Sequence, residues 1–254
     1  TALAQVARNH GVDAGFFHGR GGTVSRGGGN VVGGILGAPA GTVNGFLRVT
    51  EQGETINQKY GNRTIAERHL ELATAATLKT SLRPTPQPEE AWQEVMAGMA
   101  EASKKTYREM VYEHPQFIDY FRHATPIDVI ERMGIGSRPA SRRSGQGVEN
   151  LRAIPWVFSW AQCRIALPAA YGMGTALANA KDKFGLDTLK TMSRNWLFFG
   201  SMLSDVEMAL AKSDLDIGKR YSELAPEPSR MVFDLIDTEL RLAKSMILSI
   251  KEQE

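Results

Sequence analysis

The chain has 254 residues, with 30 Lys and Arg against 28 Asp and Glu and a formal net charge of +2. Counting glycine as apolar and setting tyrosine aside leaves roughly half the chain apolar, an ordinary globular level that excludes a disordered, collagen-like or low-complexity polypeptide. The balanced charge argues for neither a nucleic-acid nor a membrane partner, and the single Cys163 cannot form an internal disulfide, so nothing calls for an oxidising compartment.

The first predicted element is a helix from Ala2 to His10. Ala14-Gly15-Phe16-Phe17 reads as a short strand feeding a glycine-rich run that starts at His18. Thr64-Ile65-Ala66-Glu67 fits a capping box, and Leu70, Ala73, Thr77 and Leu78 follow at helical spacing. Pro84, Pro86 and Pro88 then stop the chain, because proline holds its predecessor away from helical geometry. A second long helix is predicted from Glu89 to Tyr112, with Trp92, Val95, Met96, Met99, Tyr107 and Met110 on one face. Gly134-Ile135-Gly136 reads as the end of a strand, and the apolar run from Ala153 to Trp160 as another. Two more helices follow. One runs from Leu186 to Lys212 with Leu189, Met192, Phe199, Met202, Leu203, Val206 and Leu210, and the other from Arg230 to Lys251 with Leu235, Ile236, Leu240, Ala243, Met246 and Ile250. These apolar stripes are read as core-facing.

Strands alternating with helices favour a parallel sheet or barrel, yet three strands cannot close a barrel. The longest apolar stretch, Ile165 to Ala180, is broken by Pro168, Gly172, Gly174 and Asn179 and falls short of the ~18 residues of a membrane span. No apolar block follows a basic start, so no signal peptide is predicted. The chain opens without methionine inside one helical pattern and stops inside another, and the expectation is a piece of a longer protein.

Chemistry concentrates in two places. The run from His18 to Gly29 carries His18, Arg20 and Arg26 among glycines, with no acid to neutralise them. Glycines let backbone N–H groups approach a ligand, and guanidinium forks match phosphate or carboxylate, so the run reads as a site for a small, multiply charged anion. It is not a phosphate loop of the Walker type, since no Lys-Ser or Lys-Thr follows, and Val24 breaks the dinucleotide fingerprint. A structural loop and an Arg-Gly RNA-binding tail remain alternatives. The second place is Gly136 to Gly147, followed by Glu149 and Arg152, with Arg138, Arg142, Arg143 and Arg152 against one glutamate. Its Ser-Gly-Gln-Gly centre reads as a mobile lid, with a solvated basic loop as the alternative. Leu47 to Glu54 carries charges without diagnostic spacing. His10, His69, His114 and His123 lie apart and suggest no metal set, and no metalloprotease, EF-hand or nucleophile-elbow motif occurs. Cys163 reads as a small core residue rather than a nucleophile.

The blocks FHGRGGTVxRGGG, LRVTEQGE, GSRPAxRR, LRAIPWxFxWxQxR and LAKSD, in this order and spacing, resemble the C-terminal part of the phosphoenolpyruvate carboxylase family, and the similarity spans essentially the whole chain. The resemblance implies a mainly α fold with a few parallel strands. Residues 1–160 would be the last strands of a partial (β/α)8 barrel, and 161–254 a helical region. It implies a lyase that joins phosphoenolpyruvate to bicarbonate. Bicarbonate attacks phosphorus, the enol C–O oxygen leaves with its electron pair as pyruvate enolate, and carboxyphosphate releases CO₂, which the enolate captures to give oxaloacetate and phosphate. Every species is anionic, which suits arginines and backbone N–H groups.

By the same resemblance His18, Arg20 and Arg26 are catalytic, Arg138 and Arg152 bind substrate, and Arg142, Arg143, Gly145 and Gly147 belong to the mobile loop. Lys212 matches a lysine that binds the inhibitors aspartate or malate. Mg²⁺ or Mn²⁺ is implied, with its acidic ligands outside this chain, as are a cytoplasmic, anaplerotic, allosteric homotetramer and the absence of nucleic-acid or membrane partners. Ser25, Asn30 and Ser141 depart from the usual glycine, proline and lysine. The isolated chain is expected to be inactive; a non-catalytic anion-binding or regulatory helical fragment is the alternative reading.

Overall fold

The computed structural model describes residues 2–12, 14–18, 30–51, 53–83, 86, 88–134, 139–141 and 147–252. In chain order its elements are α1 (Ala2–Asn9), β1 (Phe17–His18), α2 (Val31–Leu36), β2 (Arg48–Val49), α3 (Gly53–Tyr60), α4 (Arg63–Leu82), α5 (Glu90–Arg108), α6 (Phe117–Ala124), α7 (Ile127–Arg132), α8 (Ala153–Gln162), α9 (Leu167–Ala170), α10 (Met173–Phe184), α11 (Leu186–Asn195), α12 (Leu197–Ala211), α13 (Leu215–Ser222) and α14 (Glu227–Lys251). The described residues are mostly helical, and their one sheet is the parallel pair β1–β2, with Phe17 opposite Arg48 and His18 opposite Val49. They form two compact units. One comprises residues 1–93 and 190–206, the other 94–189 and 207–254.

In the first unit, β1 and β2 are joined through α2, the connection that parallel strands require. α2 starts at Asn30, whose side-chain oxygen accepts from the backbone N–H of Val32 and Gly33. It lies against α4, and Ile35, Ala38, Val43 and Ala76 form a buried cluster with Val31, Val32, Leu36, Leu47 and Ala73 packed on it. α4 begins earlier than the capping box suggests. Asn62 is the cap, accepting from Thr64 and Ile65 N–H at 3.0 and 3.3 Å, which places Thr64 inside the first turn. Its buried residues are Ala76 and Thr80, and Ala73 packs beside them, while Leu70 and Leu78 are 57 % and 54 % exposed, so the predicted stripe meets the core only in part. Helical spacing identifies residues that share a face but not which face meets a neighbour. The predicted helix 186–212 is two helices. They meet at Trp196, whose N–H donates to the Met192 carbonyl and whose carbonyl accepts from Gly200. A Cβ at Gly200 would lie 2.8 Å from the Ser193 carbonyl oxygen, so glycine permits this close approach.

In the second unit, α5 runs on into a π-helical turn, Glu109–Glu113, and ends at His114, which is extended ahead of Pro115. The run from Ala153 to Trp160, predicted as a strand, is the helix α8. Eight nearly continuous apolar residues carry no period that separates a buried helix from a buried strand. Pro155 sits in the first helical turn, where its missing N–H costs no hydrogen bond. Trp156 and Trp160 of α8 join Phe117, Tyr120 and Phe121 of α6 in an aromatic cluster with ring centroids 5.1–6.4 Å apart.

The tightest helix pair is α10 on α14. A Cβ at Gly174 would lie 2.7 Å from both the Ala243 nitrogen and the Glu239 oxygen of the α14 backbone. The buried Glu239 carboxylate accepts from Thr175 N–H at 2.9 Å and from its hydroxyl at 2.6 Å, satisfying a first-turn donor of α10 from another helix. Gly172, just before α10, has φ +88°, and its Cα approaches the Ser103 carbonyl. Among the described residues no helix is long and apolar enough to cross a membrane.

Candidate functional site

The strand predicted at Ala14–Phe17 is met only at Phe17, since β1 is Phe17–His18, and His18 is its second residue, paired with Val49. Because β1 and β2 are parallel, the carboxyl end of β1, leading into the HGRGG block, lies beside the carboxyl end of β2, leading into Thr50-Glu51. Adjacent carboxyl ends of parallel strands are where α/β enzymes gather chemistry from separate parts of the sequence. Arg20 and Arg26 lie outside the described residues.

The LRVTEQGE segment, which shows no diagnostic spacing, contains β2 and an ion-pair hub. The Glu51 carboxylate accepts from Lys59 Nζ at 3.0 and 3.1 Å, from the Thr55 hydroxyl at 3.3 Å and from the Tyr60 hydroxyl at 3.2 Å. Burial, then the charge and hydrogen bond of Glu51, raise the Tyr60 pKa. Lys59 and Glu51 are both shielded, so the pair ties α3 to the end of β2. The Arg48 guanidinium stands 5.9 and 5.5 Å from the ring centroids of Phe17 and Phe46, a cation–π contact that also joins β2 to β1.

In the second unit the arginine-rich segment is described at its two ends. Arg138, Arg142, Arg143 and Gly145 lie outside the described residues. Gly147 precedes a 3₁₀ turn, Val148–Asn150, and its carbonyl accepts from Asn150 N–H at 3.2 Å. Ser141 pairs with Leu151 in an isolated antiparallel bridge. The Ser141 hydroxyl donates to the Asn150 carbonyl at 3.1 Å, and Arg152 N–H donates to the Ala140 carbonyl at 3.0 Å.

Arg152 is extended (φ −87°, ψ 161°) directly ahead of α8, and its carbonyl accepts from Trp156 N–H. Its Nε is buried and has no hydrogen-bond partner among the described residues. A guanidinium never gives up its charge in a protein, so a buried N–H of this group without an acceptor is costly unless an anion completes it.

Lys212 follows α12 and is exposed; its N–H donates to the Ala209 carbonyl at 3.3 Å. Two residues on, Asp214 caps α13, accepting from Asp216 and Ile217 N–H at 3.1 and 3.0 Å. Asp214 N–H in turn donates at 2.9 Å to the carbonyl of Arg164, which has φ +57°. The last arginine of the LRAIPW block and the aspartate of the LAKSD block are therefore joined directly. Nothing in their sequence spacing signals this.

Cys163 is buried. Burial pushes its thiol up to about 12, and Sγ contacts the Ala124 carbonyl at 3.3 Å. Among the described residues no three His, Cys, Asp or Glu side chains gather to hold a metal ion, and the Glu51 carboxylate, just after β2, is paired with Lys59. The described residues do not fit a divalent metal.

A family model described as phosphoenolpyruvate carboxylase matches residues 1–254. A phosphoenolpyruvate carboxylase of Xanthomonas euvesicatoria pv. vesicatoria is 49 % identical over 256 residues, which cover 99 % of this chain and 28 % of that protein. One of Azoarcus sp. (strain BH72) is 45 % identical over 261 residues, 99 % of this chain and 28 % of its own. One of Stutzerimonas stutzeri is 49 % identical over 226 residues, 89 % of this chain and 26 % of its own. The chain thus spans little more than a quarter of the length of these relatives. By the match along its whole length, it belongs to the phosphoenolpyruvate carboxylase family.

Proposed function

We propose that this chain acts as the C-terminal segment of an enzyme that carboxylates phosphoenolpyruvate with bicarbonate to oxaloacetate and phosphate, through carboxyphosphate and the pyruvate enolate. The observation that carries the reading is Arg152, a permanently charged side chain whose Nε is buried without an acceptor among the described residues, where a phosphate would complete it. Arg138 joins it on the substrate. His18, Arg20 and Arg26 act at the bicarbonate, carboxyphosphate and enolate, and the parallel strand ends beside His18 support this assignment. Arg142, Arg143, Gly145 and Gly147 form the loop that keeps water from protonating the enolate. Residues 1–160 belong to a partial (β/α)8 barrel whose last strands include β1 and β2, and 161–254 to a helical region. A parallel pair of two-residue strands is marginal by itself, which supports further strands beside it. Lys212, exposed after α12, is available to the carboxylates of aspartate or malate. The enzyme is a cytoplasmic homotetramer that uses Mg²⁺ or Mn²⁺ held by ligands outside residues 1–254, and the isolated chain is inactive.

The test is oxaloacetate formation from phosphoenolpyruvate, bicarbonate and Mg²⁺ by the full-length protein and by residues 1–254 alone. The full-length protein turns over and the isolated chain does not. Arg26→Ala abolishes turnover, and Arg152→Ala raises KM for phosphoenolpyruvate by at least about tenfold, as expected for losing a charged hydrogen bond. An inactive full-length protein, or an Arg152→Ala variant with unchanged KM, overturns the reading.

A further inference from the structure

The segment around Arg152 is tied to residues 140 and 141 by two kinds of hydrogen bond. Arg152 N–H donates to the Ala140 carbonyl at 3.0 Å, the contact that makes Ser141–Leu151 a backbone bridge, and the Ser141 hydroxyl donates to the Asn150 carbonyl at 3.1 Å. Arg152 itself gains no side-chain hydrogen bond from the described residues that would fix its Nε. Its position is therefore set from the backbone side, by what holds residues 150–152, and by the start of α8 on its other flank. The first tie is a backbone hydrogen bond whose acceptor any residue at 140 supplies. The second depends on a side chain, the hydroxyl at 141.

We infer that Ser141 is a positioning residue for Arg152, its hydroxyl locking residues 150–152 so that the guanidinium is presented to the phosphate of phosphoenolpyruvate. The inference rests on the assignment of Arg152 to that phosphate. Ser141 touches neither substrate nor reacting atoms. It acts through the Asn150 carbonyl and the extended residues that follow. Because Arg152 holds the phosphate in the substrate complex, loosening this hold is expected to weaken phosphoenolpyruvate binding.

The experiment uses the full-length protein with Ser141→Ala and Ser141→Thr. Steady-state kinetics are paired with hydrogen exchange of the peptide covering 147–152. Ser141→Ala is expected to raise KM for phosphoenolpyruvate about two- to tenfold, the worth of one neutral hydrogen bond, while KM for bicarbonate stays within about twofold. Ser141→Thr, which keeps the hydroxyl, is expected to restore the wild-type KM. Exchange at 147–152 accelerates in the alanine variant and not in the threonine variant, with α10 and α14 unchanged in both.

An alanine variant with wild-type KM and wild-type exchange overturns the inference. So does one in which kcat, both KM values and exchange throughout the unit deteriorate together, because that is general loosening of the fold. A threonine variant that behaves like alanine also overturns it. A wild-type protein without turnover would instead remove the carboxylase reading, and exchange at 147–152 would still report whether Ser141 holds the Arg152 segment.

Discussion

Gly174→Ala tests whether α10 and α14 meet backbone to backbone. The new methyl would sit 2.7 Å from both the Ala243 nitrogen and the Glu239 oxygen and 3.0 Å from Leu242 Cβ. Ordinary contact begins about 0.7 Å further out, and neither backbone atom can turn aside as a flexible side chain would. The helices must part, which stretches the Glu239–Thr175 hydrogen bonds as well. Overpacking costs roughly 1–3 kcal/mol, and two backbone obstacles at once place this site in the upper part of that range. Alanine returns at most about 1 kcal/mol through helix propensity, and less in a first turn. The net loss is about 2 kcal/mol, or a melting temperature lower by about 4–8 °C for a chain of this size. The internal control is Gly98→Ala in the middle of α5, where a Cβ meets nothing within 4 Å. There the same chemical change stabilises by about 0.5–1 kcal/mol, raising the melt by about 1–4 °C. Circular dichroism melts at 222 nm decide it. If both variants shift in the same direction, or Gly174→Ala melts at or above the wild type, the close approach of α10 to α14 is wrong.

Two further outcomes are expected. Trp160 is fully buried against Phe117, Tyr120, Phe121 and Trp156, and its indole N–H has no partner among the described residues. Trp160→Ala should therefore cost about 3–5 kcal/mol in packing alone and Trp160→Phe less than about 1.5 kcal/mol in urea denaturation; similar losses for the two would contradict a purely packing role. Burial raises the Cys163 thiol from an ordinary 9.0 to about 12. With the folded pKa above the unfolded one, its contribution is whole below pH 9 and is lost as pH rises from 9 to 12. Native protein should resist iodoacetamide at pH 8.5 and react once unfolded. Cys163→Ala should show a shallower loss of stability above pH 9, and prompt alkylation of the native thiol would refute this account.

Much of the helix content was legible because amphipathic periodicity is a local property. The helix around Glu227–Lys251 shows it, with Ile236, Leu240, Ala243, Met246 and Ile250 buried as their spacing predicts and only Leu235 of the predicted stripe exposed. Errors arose where the period carries no answer. The apolar run at 153–160 suits a buried strand as well as a buried helix. Leu70 and Leu78 share a helix face that does not meet α2. The Asn62 cap was displaced from the Thr64 signal because Asn and Thr both accept first-turn N–H groups.

For the site, the long motif blocks identified the family, because chance does not reproduce five ordered blocks of fixed residues. The blocks alone carried no account of what holds those residues in position. The Glu51–Lys59–Tyr60 hub, the Ser141 tie to Asn150 and the Asp214–Arg164 bond each join residues whose pairing has no periodic or compositional signature.

The sequence by itself determined the long amphipathic helices and which family the chain belongs to, since both follow from residue types at fixed short spacings. Only the tertiary structure decided which helix faces are buried, how closely α10 lies on α14, and that Asn150 and Arg152 are tied to Ser141 and Ala140. Those outcomes depend on atoms brought together from distant parts of the chain, where a few tenths of an ångström separate a contact from a clash.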